Sequence, residues 1–343
     1  MVDTKIKFRT IIGITFFFVI LGLFIFTKVS LAISPIPEEI IDYSQFEWYL
    51  IPIIYLLNYF KSAGFSLTFA FLLSGIIQEF IPQNTIFKYL GPGKKRNYII
   101  AALLAPVFVT CSCSVVPVYA GILMAGAGAG VAMTFLLMAP AANFLTLWLT
   151  GDYIGWDLVI LRYIFSFIAA IICGLIYAKT KMAREIEKKY DNIRIGKAEQ
   201  LEADKNIHER VLNSYKSSWQ MIKIILPYLI IGLIIVSYLA AYIPDELIQP
   251  LLTGYIGIFF GAIVGGPLYT PTLVEVVLTK SLLNKGMARS TALSFMMGQP
   301  YDVVSMVPNS RFFKWKGVLI YFLIFLLFSI ISGLFYGLIL GEL

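Results

Sequence analysis

Charge, cysteine and histidine are all scarce in this sequence. Of its 343 residues only 14% are Asp, Glu, Lys or Arg, while 59% are hydrophobic, and the mean hydropathy is +0.82. Soluble domains carry about a quarter charged residues. A surface this poor in charge stays hydrated only if lipid covers much of it, which excludes most soluble-enzyme classes. Three cysteines and one histidine cannot build a four-thiolate zinc site, and His208 has no neighbouring ligand pattern and reads as a solvated loop residue. No Walker motif appears, so energy comes from a gradient or the cargo runs downhill, and no cofactor is called for. The net charge of +7 is not a nucleic-acid signal, because ten of the 27 basic and seven of the 20 acidic residues fall between Lys179 and Lys216. Basic excess in a membrane protein reflects Lys and Arg kept in cytoplasmic loops.

What the sequence has in abundance is apolar length. Crossing about 30 Å of hydrocarbon takes roughly 20 helical residues. Runs of that size lie near 11–33, 53–81, 131–149, 158–179, 219–243, 288–306 and 317–340, which predicts seven spans. The first follows Lys5, Lys7 and Arg9, exceeds a signal-peptide core and lacks a small-x-small cleavage site, so it reads as an uncleaved span. Two further stretches, 97–127 and 252–283, are broken in the middle. The first holds Pro106, then Thr110-Cys111-Ser112-Cys113-Ser114, then Pro117; the second reads Gly265-Gly266-Pro267-Leu268-Tyr269-Thr270-Pro271. Each reads as two half-helices around an unwound centre, the plainer alternative being ordinary spans kinked by Pro and Gly.

The two broken stretches occupy matching places in an internal repeat. Ile81-Pro82 recurs as Ile243-Pro244, Pro117 as Pro271, Gly126 as Gly286, Phe135 and Pro140 as Phe295 and Pro300, and Gly174-Leu175-Ile176-Tyr177 as Gly333-Leu334-Phe335-Tyr336. The offsets are 162, 154, 160, 160 and 159 residues. The expected organisation is an N-terminal transmembrane helix in 1–40, a membrane repeat in 45–180, a charged cytoplasmic linker in 181–217 and a second repeat in 218–343. If each broken stretch is a re-entrant hairpin the second repeat is inverted; if each crosses once, the repeats are parallel. With the linker cytoplasmic, inversion puts Lys88, Lys94, Lys95, Arg96, Arg311, Lys314 and Lys316 inside and Lys280, Lys285 and Arg289 outside, and the parallel arrangement swaps them. The positive-inside rule favours inversion and an N-terminus on the inside.

Inverted repeats with a discontinuous segment at corresponding places are the signature of a secondary transporter with a midplane site. Unwound backbone at membrane depth leaves polar groups unpaired at several kcal/mol each, so two such places point to a cavity. Cys111 and Cys113, two apart, converge only in a turn. Converged, they suit a thiophilic metal or metalloid cargo; the bland reading is two small packing residues. Cys173, mid-span, reads as packing. Ala139-Pro140-Ala141-Ala142-Asn143 and Gly298-Gln299-Pro300-Tyr301-Asp302 break the spans that follow each hairpin, which makes Asn143, Gln299 and Asp302 candidates to line a cavity or to bond between helices. Gly126 to Gly130 supplies small residues for close helix packing.

Ionisable groups in apolar segments suggest function by default. Glu275 and Asp302 qualify as proton-coupling candidates, since a carboxyl removed from water can trade a proton; interfacial placement, or pairing with Lys280 or Arg289, is the alternative. Glu79 and Arg162 lie near span ends and read as interfacial. Trp48, Trp148, Trp156, Trp219 and Trp315 all fall near span ends, as interfacial aromatics do.

Cys111-Ser112-Cys113, Pro117, the glycines from Gly121 to Gly130 and the string Phe135-Leu136-Leu137-Met138-Ala139-Pro140-Ala141-Ala142-Asn143 resemble the signature of the predicted permease family that includes the organoarsenical efflux permeases. The resemblance runs from about Ile51 to Leu340. It implies efflux of a small thiophilic or organoarsenical compound, and roles for Cys111, Cys113, Pro117, Pro140 and Asn143, with Pro271, Gln299 and Pro300 as their counterparts. The second repeat has no cysteines at its break, so any thiol site is one-sided.

The sequence therefore predicts an all-α polytopic protein of the cell membrane, with two inverted repeats, each of three spans plus a re-entrant hairpin, and one extra N-terminal span. Its partners are a small-molecule substrate and the lipid bilayer, with no nucleic acid; its oligomeric state is not legible. Substrate is expected at the approach of the tips Thr110–Pro117 and Gly265–Pro271, with rocking of the repeats giving alternating access. The competing readings are a channel lined by two hairpins and an intramembrane thiol redox or sulfur-transfer enzyme, which lacks a histidine base.

Overall fold

The computed structural model describes residues 45–80, 89–108, 112–189, 207–242, 253–267 and 272–343, with Thr15 and Gly22. The expected first span apart from Thr15 and Gly22, Thr110, Cys111, Tyr269, Thr270, Pro271 and residues 190–206 of the charged linker lie outside the described residues, as do the side chains of Ser112, Cys113 and Ser114.

Among the described residues the chain forms helices and no strands. Helix α1 spans Ile51–Phe80, α2 Lys95–Phe108, α3 Ser112–Met124, α4 Ala129–Ala141, α5 Phe144–Tyr153 and α6 Trp156–Ala178. A short helix α7 covers 181–189. Then come α8 Ile207–Tyr242, α9 Gly254–Gly265, α10 Thr272–Asn284, α11 Arg289–Met296, a 3₁₀ turn Gln299–Tyr301 and α12 Val303–Leu340. Four stretches, Ala129–Tyr153, Trp156–Ala178, Glu209–Ile235 and Val303–Leu340, are long and apolar enough to cross a bilayer. Helices are the expected solution for such sequences, because only a helix satisfies its own backbone in hydrocarbon. All five tryptophans are 53–68% exposed, and Trp148 stands edge-on to Trp156 at 5.8 Å.

Small residues set the helix contacts. Helices α4 and α6 run antiparallel, with Gly130 against Gly174, and a Cβ at Gly174 would lie 2.5 Å from the Gly130 carbonyl oxygen. Thr134 Oγ1 bridges the pair, 3.2 Å from both Gly130 O and Ala170 O. Helix α1 packs on α8 through Gly75, which faces Ser214 and Ser218, and on α3 through Ser74 and Gly121. Helix α12 folds back on itself. At Lys314 the backbone has φ 59° and ψ 159°, and beyond that turn Tyr321 meets Asn309 at 3.2 Å and Phe322 meets Tyr301 edge-on at 5.5 Å. The two apolar runs expected at 288–306 and 317–340 thus adjoin a turn between antiparallel limbs. Ser294 of α11 meets Ser329 of the second limb at 3.2 Å.

Local geometry recurs where the sequence repeats. Helix α3 ends on Gly126 at φ 103° and α10 ends on Gly286 at φ 100°, a left-handed position that suits glycine. The closing bonds match: Ala127 N donates to Ile122 O at 3.2 Å, and Met287 N to Leu282 O at 3.0 Å. The next helices start alike, from Gly128 (φ −63°, ψ 140°) and Ala288 (φ −66°, ψ 145°), neither with a side-chain cap of its own. A distant carboxylate takes that place each time. Glu187 accepts from Ala129 N at 2.8 Å and Glu342 from Ser290 N at 2.9 Å, matching negative charge to the positive helix end.

Candidate functional site

The chain's buried polar centre lies beside the break between α4 and α5. Pro140 sits in the last turn of α4, and Ala142, at φ −138° and ψ 40°, leaves the helix. Asn143 is buried, and its carbonyl accepts from Leu147 N at 2.9 Å to start α5. The break leaves the carbonyl of Ala141 to an outside donor, and Arg162 Nε supplies it at 2.8 Å.

Arg162 is not interfacial, as its position near a span end suggested. It is completely buried, because α6 packs that turn against α4 and turns the side chain inward. Its Nη2 meets Glu275 Oε2 at 3.1 Å, with both side chains at 0–1% exposure. Glu275 belongs to the first turn of α10, four residues beyond the expected tip at Pro271. The pair therefore ties the second broken stretch to the first half of the chain. It is singly bonded: among the described residues Arg162 Nη1 and Glu275 Oε1 have no partner.

The second break is built by Gly298, the Gln299–Tyr301 turn and Asp302. Gly298 lies directly on α9, where a Cβ would stand 2.5 Å from Gly266 N. Tyr301 OH donates to Ala262 O at 2.7 Å and fixes the turn to α9. Pro300 occupies the 3₁₀ turn and Gln299 is buried beside it. Asp302, a proton-coupling candidate in the sequence, is the N-cap of α12: its carboxylate accepts from Ser305 N at 2.7 Å and from Ser305 Oγ at 2.9 Å. That is a capping geometry, readable in retrospect from Asp302-Val303-Val304-Ser305.

The remaining candidates are dispersed. Pro106 and Pro117 lie inside α2 and α3, so the helices continue through them. Pro267 lies in the turn that follows α9. Cys173 is buried with its Sγ 3.8 Å from Met133 Sδ. Among the described residues no cluster of three or more His, Cys, Asp or Glu is placed to hold a metal, and Cys111, with the side chain of Cys113, lies outside that set.

Sequence reasoning also missed a cavity of about 520 Å³ at the α7 end of the bundle, lined by Glu185, Lys189, Tyr228, Arg311, Lys314 and Trp315. Glu185 and Lys314 form an exposed pair there at 2.7 Å. The hydrogen bond and charge of Lys314 hold the Glu185 carboxyl below its ordinary range. At the other end of α6, Arg289 meets Asp157 at 2.9 Å, and Tyr336 OH donates to the same carboxylate.

Comparison with known proteins gives the chain a family. A family model described as "Predicted permease" matches residues 57–338. The UPF0718 protein MJ0584 of Methanocaldococcus jannaschii is 25% identical, over 80% of this chain and 92% of that protein. The UPF0718 protein YraQ of Escherichia coli is 20% identical, over 72% of this chain and 69% of its own. A putative two-component membrane permease complex subunit of Streptococcus mutans is 29% identical, over 31% of this chain and 36% of that protein. No solved structure matches.

Proposed function

The chain belongs to the predicted permease family, and from that premise we propose that it is a secondary transporter of the cell membrane, working by alternating access between two inverted repeats. The observation that carries this is where the two broken stretches begin and end. Helices α2 and α3, of 14 and 13 residues, would reach about 40 Å if laid end to end. Instead the segment after α3 returns to the segment before α2, with Gly128 N donating to Leu90 O at 2.9 Å and Gly128 seated on Pro92. The second stretch behaves alike: after α10 the chain rises beside α9, Thr291 against Gly261 and Phe295 against Gly265. Both are read as re-entrant hairpins.

Their feet point to opposite faces. Gly130, at the first foot, faces Gly174 and Ala178 at the C-terminal end of α6. Arg289, at the second foot, meets Asp157 at its N-terminal end. Helix α6 has 23 residues, roughly 35 Å of rise, a membrane thickness. Linker-side charge supports the same orientation, since Lys314 pairs with Glu185 of α7 at the C-terminal end of α6. Two hairpins dipping from opposite faces bring their tips toward the midplane, the arrangement in which repeats rock around one site.

The cargo reading follows the family resemblance: a small thiophilic compound, an organoarsenical in particular, moved outward past Cys111 and Cys113, with Asn143, Gln299 and the second tip around Tyr269 and Thr270 completing the site. Glu275 is the proton-coupling candidate retained, because Asp302 is engaged as a helix cap. Reconstitution in vesicles tests the function. Saturable flux of a trivalent phenylarsenical, accumulating against its gradient and lowered by Cys111→Ser and Cys113→Ser, is expected. Ohmic conductance would favour a channel, and no flux would reject the arsenical cargo.

A further inference from the structure

We propose that Arg162 is an anion-binding side chain on the transport path, and that Glu275 is the internal counter-ion which a small carboxylate or oxyanion displaces from it. The inference rests on the transporter reading above but not on its arsenical cargo, and names an anionic cargo class in place of that neutral compound.

Position comes first. Arg162 lies where three things meet: the break after Ala141, whose carbonyl its Nε holds at 2.8 Å, the first half of the chain through α6, and the second broken stretch through Glu275 at 3.1 Å. Glu275 is the fourth residue of α10, about 4.5 Å of helical rise from the start of that helix at Thr272. A guanidinium at such a place can follow cargo from the tip inward.

The bonding is the second observation. Taking a guanidinium and a carboxylate out of water costs several kcal/mol per ion, offset only when geometry is good and the remaining donors and acceptors are satisfied. A pair built solely to hold helices together satisfies that with a two-point fork. Here the contact is single, with Arg162 Nη1 and Glu275 Oε1 both buried and without partner among the described residues. The planar fork of Arg162 thus retains an open donor of the kind that recognises a carboxylate or oxyanion at two points.

Charge balance fixes the exchange. A buried site that holds Arg162 accommodates one negative charge and not two. When an anion takes the guanidinium, Glu275 takes up one proton from water, so carboxylate, proton and anion give a neutral carboxylic acid and an Arg162–anion pair. The surrounding groups do not alter this count. On α5 the titratable groups are Asp152, which is exposed, and Tyr153; on α11 the charged group is Arg289, which pairs with Asp157. Lys280 lies five residues further along α10, and α6 adds Tyr163, which stacks on Phe167 at 6.1 Å. Among the described residues Arg162 is the charge that faces Glu275.

The test uses purified full-length protein in detergent, with benzoate and inorganic phosphate as probes and thermal stability as the readout. Glu275→Gln should be stabilised saturably by at least one probe, at a half-saturating concentration at least tenfold below the wild type, and the double variant Arg162→Gln/Glu275→Gln should not respond. Equal responses of the single and double variants, or none from either, overturn the proposal. If Glu275→Gln does not fold, the wild type decides with benzoate, which stays a monoanion throughout: its binding should tighten from pH 8 to pH 6 with uptake of about one proton per anion, and pH-independent or absent binding overturns the idea. Because no gradient or flux is involved, a chain that binds anions yet fails in vesicles sinks the transporter reading alone.

Discussion

Replacing Gly174 by Ala tests whether backbone contact between α4 and α6 limits this fold. The added Cβ would meet Thr134 Oγ1 head-on and lie 2.5 Å from Gly130 O. The hydroxyl can rotate away; the backbone oxygen cannot, so α4 and α6 must part by about 1 Å to reach ordinary contact distances. Parting stretches the Thr134 bond, one hydroxyl hydrogen shared between two carbonyls at 3.2 Å, which contributes about 0.5–1.5 kcal/mol. Overpacking adds about 1–3 kcal/mol, while alanine's better helix propensity returns about 1 kcal/mol. The net expectation is a loss of about 0.5–3.5 kcal/mol. Gly64→Ala in α1 is the control, because nothing lies within 4 Å of its Cβ, and it should gain about 0.5–1 kcal/mol from backbone entropy. Equilibrium unfolding in detergent reads both. Gly174→Ala as stable as the wild type would refute the packing argument.

Three other outcomes follow from particular residues. Lys314 holds φ 59° and ψ 159°, a region that costs a non-glycine residue of order 1–3 kcal/mol, so Lys314→Gly should raise the unfolding midpoint; a lowered midpoint contradicts this. Arg162→Gln should destabilise by about 3–5 kcal/mol because it strands Glu275, whereas Arg162→Gln/Glu275→Gln should lose much less; additive losses in that double-mutant cycle refute a coupled pair. The Glu185 carboxyl is held below its ordinary value by the hydrogen bond and charge of Lys314. The pair is therefore intact at neutral pH and lost as pH falls through that depressed titration. Both partners are 59–61% exposed, so Glu185→Gln should leave thermal stability unchanged at pH 7.

The sequence alone made much of this architecture legible, and the reasons are local. Gly126 and Gly286 were visible as matched positions, and both adopt the same positive φ, because a left-handed helix end selects glycine wherever it occurs. Pro140 and Pro300 marked spans that do break nearby, since proline removes a donor. Gly155 and Lys314 escaped notice although Trp156 and Trp315 follow them. The two turns share a place but neither a residue type nor a φ, which is 155° at Gly155 and 59° at Lys314. Arg162 was misplaced because its partner is 113 residues away; no window of sequence reports a contact between two halves of a bundle. The Asp302 cap lay within reach of sequence reasoning, three residues from Ser305, but its burial pointed to proton chemistry instead.

The orientation of the two hairpin feet tests the central claim most directly. In a background with Cys111, Cys113 and Cys173 replaced by Ser, Lys94→Cys and Lys285→Cys mark the feet, both exposed positions. Whole cells are treated with a membrane-impermeant maleimide before and after permeabilisation. Two inverted hairpins predict that the cysteine at 285 labels from outside and the cysteine at 94 only once the membrane is opened. Labelling of both from the same face would contradict the inverted arrangement and the alternating-access account built on it.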